Sequence, residues 1–219
     1  MKLPVTVHQV RLGADEFRVV RPAEPPARAV LLDRDRYLNA YLDQDAARLI
    51  GGLWALAARS PRSLVHLPLR ANPLPVDGWP QDGEHRLDLV LLHHSLQFAP
   101  ARWKELRGRL GRGRRQSVQL PGADHAYDLP VDHRARHYRE NRDLFHEHLH
   151  AGTLFMTGST KAFRETTRNF LDIARNGPGH VRSHPGQPHY CTEFHSNDGI
   201  LGRAREIHVE YCDRWDPPH

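Results

Sequence analysis

Residues 188–215, PHYCTEFHSNDGILGRAREIHVEYCDRW, contain two runs in which apolar and polar side chains alternate strictly. Because the side chains of a β-strand alternate with a period of two, each run is typical of a half-buried strand. The turn-forming tetrapeptide SNDG at 196–199 lies between the two runs and favours a chain reversal. The stretch therefore predicts an antiparallel β-hairpin whose apolar face closes a core.

The other face of this hairpin carries only side chains that bind metals or transfer protons. If Glu193 lies opposite Glu210, the same register pairs Cys191 with Cys212 and His195 with His208. Two carboxylates about 5 Å apart repel each other unless a cation or a shared proton lies between them. We therefore expect Glu193, Glu210, His195 and His208 to converge on one divalent ion, which we take to be Zn, Mn or Fe.

The two cysteines lie about 13 Å along the strands from the two histidines in that register, too far for a single Cys2His2 zinc site. Cys191 and Cys212 are therefore thiols, additional metal ligands or a disulfide across the hairpin. Glu193, Glu210 and His189 are the candidate catalytic acid–base groups. In the alternative interpretation the hairpin only exposes a polar face to water, as antiparallel sheets commonly do.

The order of predicted elements elsewhere favours an α/β fold, α+β overall. Residues 1–121 predict a Rossmann-like layered sheet, and residues 122–219 predict helices plus the hairpin, packed on the first region as one unit. Strands are predicted within 5–21 (two), 28–33, 63–69, 86–94 and 116–120, and helices at 34–60, from Pro100 onward, at 132–150 and at 160–176.

Two further groups of polar residues compete with the hairpin as metal sites. On the predicted helix 132–150, His133, His137 and Glu140 share one face at spacings of four and three. Asp33 and Asp35 follow a buried strand, where an acidic pair binds Mg²⁺ or a ribose, or where one Asp caps the next helix. There is no Walker loop and no G-x-G-x-x-G, so a glycine-rich phosphate loop has no support.

Charge indicates an anionic partner only where the basic residues cluster. The net charge is +5 and the sequence pI about 9.5, but 28 of the 31 basic residues are Arg, a bias that codon usage alone can produce. Within the run from 107 to 115, Arg112, Arg114 and Arg115 are the candidate substrate-binding residues. No apolar run approaches the ~20 residues of a membrane span, and the N-terminus resembles no signal peptide, so we expect a cytoplasmic protein.

Two functional hypotheses follow from these observations. In the first, the chain is a metal-dependent hydrolase that uses the His/Glu/Cys face on an anionic substrate, either a small molecule or a nucleic acid. In the second, it is a basic nucleic-acid-binding or acidic-partner-binding protein without catalytic activity. We favour the first because seven acid–base or ligand residues share one strand face, which a binding protein does not need.

Overall fold

In the computed structural model, which describes residues 1–76, 85–185 and 189–215, strands from both halves of the chain share two mixed sheets. The strands are β1 Lys2–Leu12, β2 Asp15–Pro22, β3 Ala29–Asp33, β4 Leu38–Leu42, β5 Ser63–Leu67, β6 His85–Arg86, β7 Asp88–His93, β8 Arg114–Gln119, β9 His146–His150, β10 Thr153–Gly158, β11 Cys191–Phe194 and β12 Ile207–Tyr211. The α-helices of the described ranges are α1 Gln44–Arg59, α2 Trp103–Gly108, α3 His133–Arg136 and α4 Thr160–Ser183.

The seven-stranded sheet, called the large sheet below, has the order β8-β1-β2-β5-β7-β10-β9, and the five-stranded small sheet has the order β11-β12-β4-β3-β6. The mixed α/β class is confirmed. The Rossmann-like arrangement is not confirmed, because in the large sheet only β2–β5 and β7–β10 are parallel pairs and Rossmann sheets are mostly parallel. Each sheet contains strands from before and after residue 121.

The main core lies between the two sheets, around α1 and α4. Its centre is Trp54 on α1, which is 1% exposed and donates its indole N–H to Thr166 Oγ1 on α4 at 2.8 Å. Four Phe rings surround this indole at centroid distances of 4.9–5.7 Å, those of Phe145, Phe163, Phe170 and Phe194. Because Phe194 belongs to β11, the small sheet is attached to the molecule through the same aromatic cluster.

Two predicted helices are wrong in part. The helix predicted at 34–60 begins only at Gln44, with Asp43 rather than Asp33 or Asp35 as its cap, and the preceding segment forms β4. All five β4 residues are buried between β12 and β3, so backbone pairing on both sides outweighs the helical spacing of the apolar residues. Similarly, the helix predicted at 132–150 consists only of α3, and β9 pairs with β10.

The strands predicted at 28–33, 63–69, 86–94 and 116–120, and the two within 5–21, are confirmed with shifted ends. Helix α4 continues past Gly177, its predicted end, to Ser183. Pro178 has no N–H to donate to the carbonyl of Ala174. The Gln44 side chain from α1 donates to that carbonyl instead, at 2.9 Å, so the helix continues without an unsatisfied acceptor.

Candidate metal centre on the small sheet

The predicted C-terminal hairpin is confirmed, although Pro188 lies outside the described residues. Its register differs by two residues from the symmetric one: Cys191 lies opposite Glu210, and Glu193 opposite His208. The expected pairs Glu193–Glu210, Cys191–Cys212 and His195–His208 are therefore wrong. A two-residue shift leaves every side chain on its predicted face, because side-chain direction repeats every two residues.

The connection between the strands explains the shift. SNDG does not form a tight symmetric turn but a short 3-10 turn, Ser196–Asp198, followed by Gly199 with φ +66°. The chain then buries Ile200 and Leu201 in the main core before β12 begins. The pairing of β12 with β4 on its other edge, rather than the turn, therefore sets where β12 lies.

Three potential ligands meet on the outer face of this hairpin. The ligand atoms of His189, Cys191 and His208 all lie within 4.8 Å of one another. His189 precedes β11, and its ring reaches back to a centroid distance of 5.4 Å from the ring of His208. The expected 13 Å separation of cysteine and histidine is wrong for Cys191, which the shifted register places in the row next to His208.

Two carboxylates border this His–Cys–His group. Glu210 Oε1 is 3.0 Å from Nδ1 of His189, and the Glu210 side chain is only 18% exposed. Glu193 Oε1 is 3.8 Å from Nε2 of His208, and its side chain is 51% exposed. Burial, with Glu193 and Glu210 adding to it, raises the pKa of the Cys191 thiol. The group therefore holds a protonated thiol between two acids.

Two buried polar atoms beside the group have no hydrogen-bond partner among the described residues. One is Nε2 of His208, and the other is Oδ1 of Asn39, whose residue is 4% exposed. Asn39 pairs in register with His208 across β12 and β4, so both side chains occupy the same outer face. Asn39 is not among the predicted site residues, because it falls within the helix predicted at 34–60. The alternation in LNAYL was the available signal.

His195 and Cys212, also predicted as metal ligands, have other neighbours. Nδ1 of His195 accepts the backbone N–H of Asn197 at 3.1 Å, and its Nε2 is 3.4 Å from Glu206 Oε1. The thiol of Cys212 donates to the carbonyl of Arg214 at 3.2 Å. Cys191 and Cys212 do not form a disulfide. The structure therefore brings together Cys191 and His208 with His189, and leaves His195 and Cys212 outside the group.

The predicted substrate-binding arginines lie on the other sheet. Arg114 and Arg115 belong to β8, the edge strand of the large sheet, and Arg112 lies two residues before the strand begins. All three are exposed and form no ion pair with the described residues. Arg115 also lines an open groove of about 780 Å³ that contains the carboxylates of Glu24 and Asp43.

The other two groups of predicted metal ligands, on the predicted helix 132–150 and at Asp33 and Asp35, do not have the arrangement that the sequence suggested. Helix α3 ends at Arg136, so His133, His137 and Glu140 do not share a helix face. Asp33 Oδ1 accepts the Arg205 guanidinium at 2.6 Å, and Arg205 also contacts Glu147 at 2.7 Å. Asp33 thus belongs to an ion-pair network.

Among the helices of the described ranges, not one combines the length and the apolarity that a membrane-crossing helix needs. Compared with known proteins, this chain matches no family model, no curated protein and no solved structure.

Proposed function

We propose that the chain is a metal-dependent hydrolase whose divalent ion is bound by His189, Cys191 and His208. The observation that carries this proposal is the mutual approach of the three ligand atoms to within 4.8 Å. Zinc bond lengths of about 2.0–2.3 Å in a tetrahedron require ligand atoms roughly 3.3–3.6 Å apart. The ligand atoms would therefore have to move closer together by about 1 Å for an ion to bind all three.

The donor set favours zinc among the divalent ions. Thiolate and imidazole ligands suit zinc, whereas Mn²⁺ prefers oxygen ligands. Three protein ligands leave a fourth position for water, which is the pattern of catalytic rather than structural zinc sites. The His189 side chain is 56% exposed, so water reaches this position. Nε2 of His208, buried without a hydrogen-bond partner among the described residues, would be satisfied by coordinating the ion through its lone pair.

The neighbouring carboxylates supply the other parts of such a site. Glu210 accepts a hydrogen bond from His189, which would orient a ligand imidazole. A bound divalent ion would instead lower the pKa of the Cys191 thiol, because its positive charge stabilises the thiolate and outweighs the two acids. The acids that raise the pKa of the metal-free thiol would then neutralise the bound cation.

In this proposal Glu193 is the general base. A bound divalent ion lowers the pKa of water toward 7. Glu193, half exposed beside His208, accepts the proton of the attacking water and returns it to the leaving group. An ester and water thus yield an acid and an alcohol. Glu193 also lines a pocket of about 230 Å³, in which the guanidinium groups of Arg136 and Arg168 face the carboxylates of Glu165, Glu193 and Asp198, so this pocket does not by itself select an anionic substrate.

The test is to measure zinc content and hydrolysis of carboxylic and phosphate esters by the full chain, before and after removal of metal with a chelator. We expect zinc near one per chain, turnover that disappears with the metal and returns on adding zinc, and a Glu193→Gln variant that binds zinc but is inactive. Glu206→Gln, a carboxylate that contacts His195 instead, is the matched control. Turnover that is equal in metal-free protein contradicts the proposal.

A second candidate function, nucleic-acid binding, rests on Arg112, Arg114 and Arg115. All three lie in the edge strand β8 or just before it, are exposed, and form no ion pair with the described residues. Arg114 and Arg115 are successive strand residues and point to opposite faces of the sheet, so a polyanion such as a nucleic acid would contact all three by wrapping around this edge. Binding would weaken steeply with salt concentration. Replacing all three Arg with Gln would reduce the slope of the logarithm of the binding constant against the logarithm of the salt concentration by about 2–3. Absence of nucleic-acid binding at low salt contradicts this candidate.

A further inference from the structure

A second group of polar side chains, of which His66 and Asp88 are buried, lies on the large sheet, away from the hairpin. It lines a pocket of about 310 Å³ formed by the end of β2, β5 and the loop after it, the start of β7, and α2. We refer to it as the arginine pocket, after the residues Arg21, Arg70 and Arg107. His66, Asp88 and Leu110 complete the part of the lining that matters here.

Positive charge exceeds negative charge in the arginine pocket. Asp88 Oδ1 accepts the backbone N–H of Arg70 at 3.0 Å, while Oδ2 accepts Arg107 Nη1 at 3.3 Å and lies 3.8 Å from Arg70 Nη2. One carboxylate, 8% exposed, is therefore shared by two guanidinium groups.

The third cation, Arg21, forms no hydrogen bond or ion pair within 4 Å through its guanidinium to any residue in the described ranges. Burial lowers the pKa of Arg21, although a guanidinium stays protonated in proteins. Since three guanidinium groups face one carboxylate, the pocket has a net charge of +2.

His66 is the second, independent sign of a ligand. It is 2% exposed, and neither ring nitrogen has a hydrogen-bond partner among the described residues. Burial first, then repulsion by Arg21 and Arg107, lowers the pKa of His66 to about 3. The ring is thus neutral at physiological pH and offers one N–H donor and one acceptor. Buried polar atoms without a partner are rare in folded proteins, and a bound ion is one common explanation.

We propose that the arginine pocket binds the phosphoryl group of a small phosphate monoester through Arg21, Arg70, Arg107 and the N–H of His66. A monoester carries a charge of about −1.5 to −2 at pH 7, which matches the charge of the pocket. The planar guanidinium groups donate pairs of hydrogen bonds to phosphate oxygens. A carboxylate, with one charge, would leave one guanidinium uncompensated.

The size and the apolar part of the lining indicate a small organic group on the phosphate. Sites for small molecules measure about 300–1,000 Å³, and the arginine pocket lies at the lower limit. Leu110 and Pro68 provide apolar surface for that group. The pocket lies on the large sheet and the His–Cys–His group on the small sheet, so phosphate binding here needs no divalent ion and does not depend on the proposed hydrolase activity.

The test is calorimetric titration of the full chain, in the presence of a chelator, with phenyl phosphate, inorganic phosphate and acetate. We expect phenyl phosphate to bind more tightly than inorganic phosphate, acetate not to bind, and phosphate binding to be tighter at pH 8 than at pH 6, because the second phosphate pKa is about 6. Equal affinity for the two phosphates overturns the monoester assignment. No heat of binding at millimolar ligand overturns the whole proposal.

Variants show whether this pocket is the binding site. Arg107→Gln and Arg70→Gln are each expected to weaken phenyl phosphate binding by about tenfold or more. Arg109→Gln is the matched control, because it removes the same charge from the end of α2 but lies outside the pocket, paired with Glu105 at 2.8 Å. If one pocket variant fails to fold, as judged by circular dichroism, the other decides. Equal weakening in Arg109→Gln overturns the assignment to this pocket.

Discussion

Replacing Glu210 with Gln tests the proposed metal centre through a residue that does not touch the ion. Glu210 Oε1 lies 3.0 Å from Nδ1 of His189, and the side chain is 18% exposed. The amide keeps the shape of the carboxylate but removes its charge. His189 would then lose the partner that fixes its ring orientation. By bonding to Nδ1, that partner also keeps Nε2 available to the metal.

Two independent magnitudes agree on the expected loss. A hydrogen bond to a charged group contributes about 1.5–3 kcal/mol. Loss of the carboxylate partner of a ligand histidine typically weakens metal binding 10- to 100-fold, which corresponds to about 1.4–2.8 kcal/mol. Because the His189 side chain is 56% exposed, solvent screens the interaction and the lower limit applies. We therefore expect Glu210→Gln to bind zinc about tenfold more weakly than wild type.

The assay is competition for zinc against a chromogenic chelator, with the cobalt-substituted protein as a spectroscopic check for thiolate ligation. Glu206→Gln provides the control, because it changes the same chemical group near His195, outside the His–Cys–His group. A zinc affinity of Glu210→Gln within about twofold of wild type would refute the argument that Glu210 supports a ligand. A cobalt spectrum without a thiolate band would remove Cys191 from the ligand set.

Three further predictions concern the thiol and the stability of the fold. In metal-free protein, the raised pKa of the Cys191 thiol predicts slower alkylation at pH 8 than for a cysteine in an unfolded peptide. The neutral thiol also stabilises the fold below about pH 8.5, and this contribution is lost as the pH rises through the pKa of the folded state. Cys191→Ala should therefore flatten the decline of the urea midpoint at alkaline pH. Trp54→Ala is expected to lower the free energy of unfolding by about 3–5 kcal/mol in guanidinium titrations, whereas Tyr37→Ala, 40% exposed, should change it by about 0.5 kcal/mol or less. Arg136→Ala removes the 3.0 Å partner of Glu165, which is 10% exposed, and leaves Lys161 at 4.0 Å as its remaining cation. It should therefore cost about 3 kcal/mol, the lower limit for a broken buried pair, against about 0–1 kcal/mol for the exposed Arg48→Ala, both measured by urea denaturation; equal losses in the two variants would contradict it.

The parts of the fold that were predictable are those whose local pattern admits one interpretation. The apolar runs of β3, β5 and β7, and the helical spacing in α4, agree with the structure because no competing element fits them. The segments LNAYL and HEHLH are different, since short runs of this kind fit a helix as well as a strand. Their neighbours β12, β3 and β10 decide in favour of a strand, and those neighbours are distant in the sequence.

The amino-acid sequence is enough to assign side chains to the outer face of the C-terminal hairpin, because side-chain direction alternates along a strand whatever the strand pairs with. It also determined that this face carries His, Cys and Glu. Which of these side chains meet cannot be read from the alternation, since register depends on the burial of Ile200 and Leu201 and on pairing with β4. The same holds for the arginine pocket, whose cations come from β2, the loop after β5 and α2, because only folding brings them together around His66.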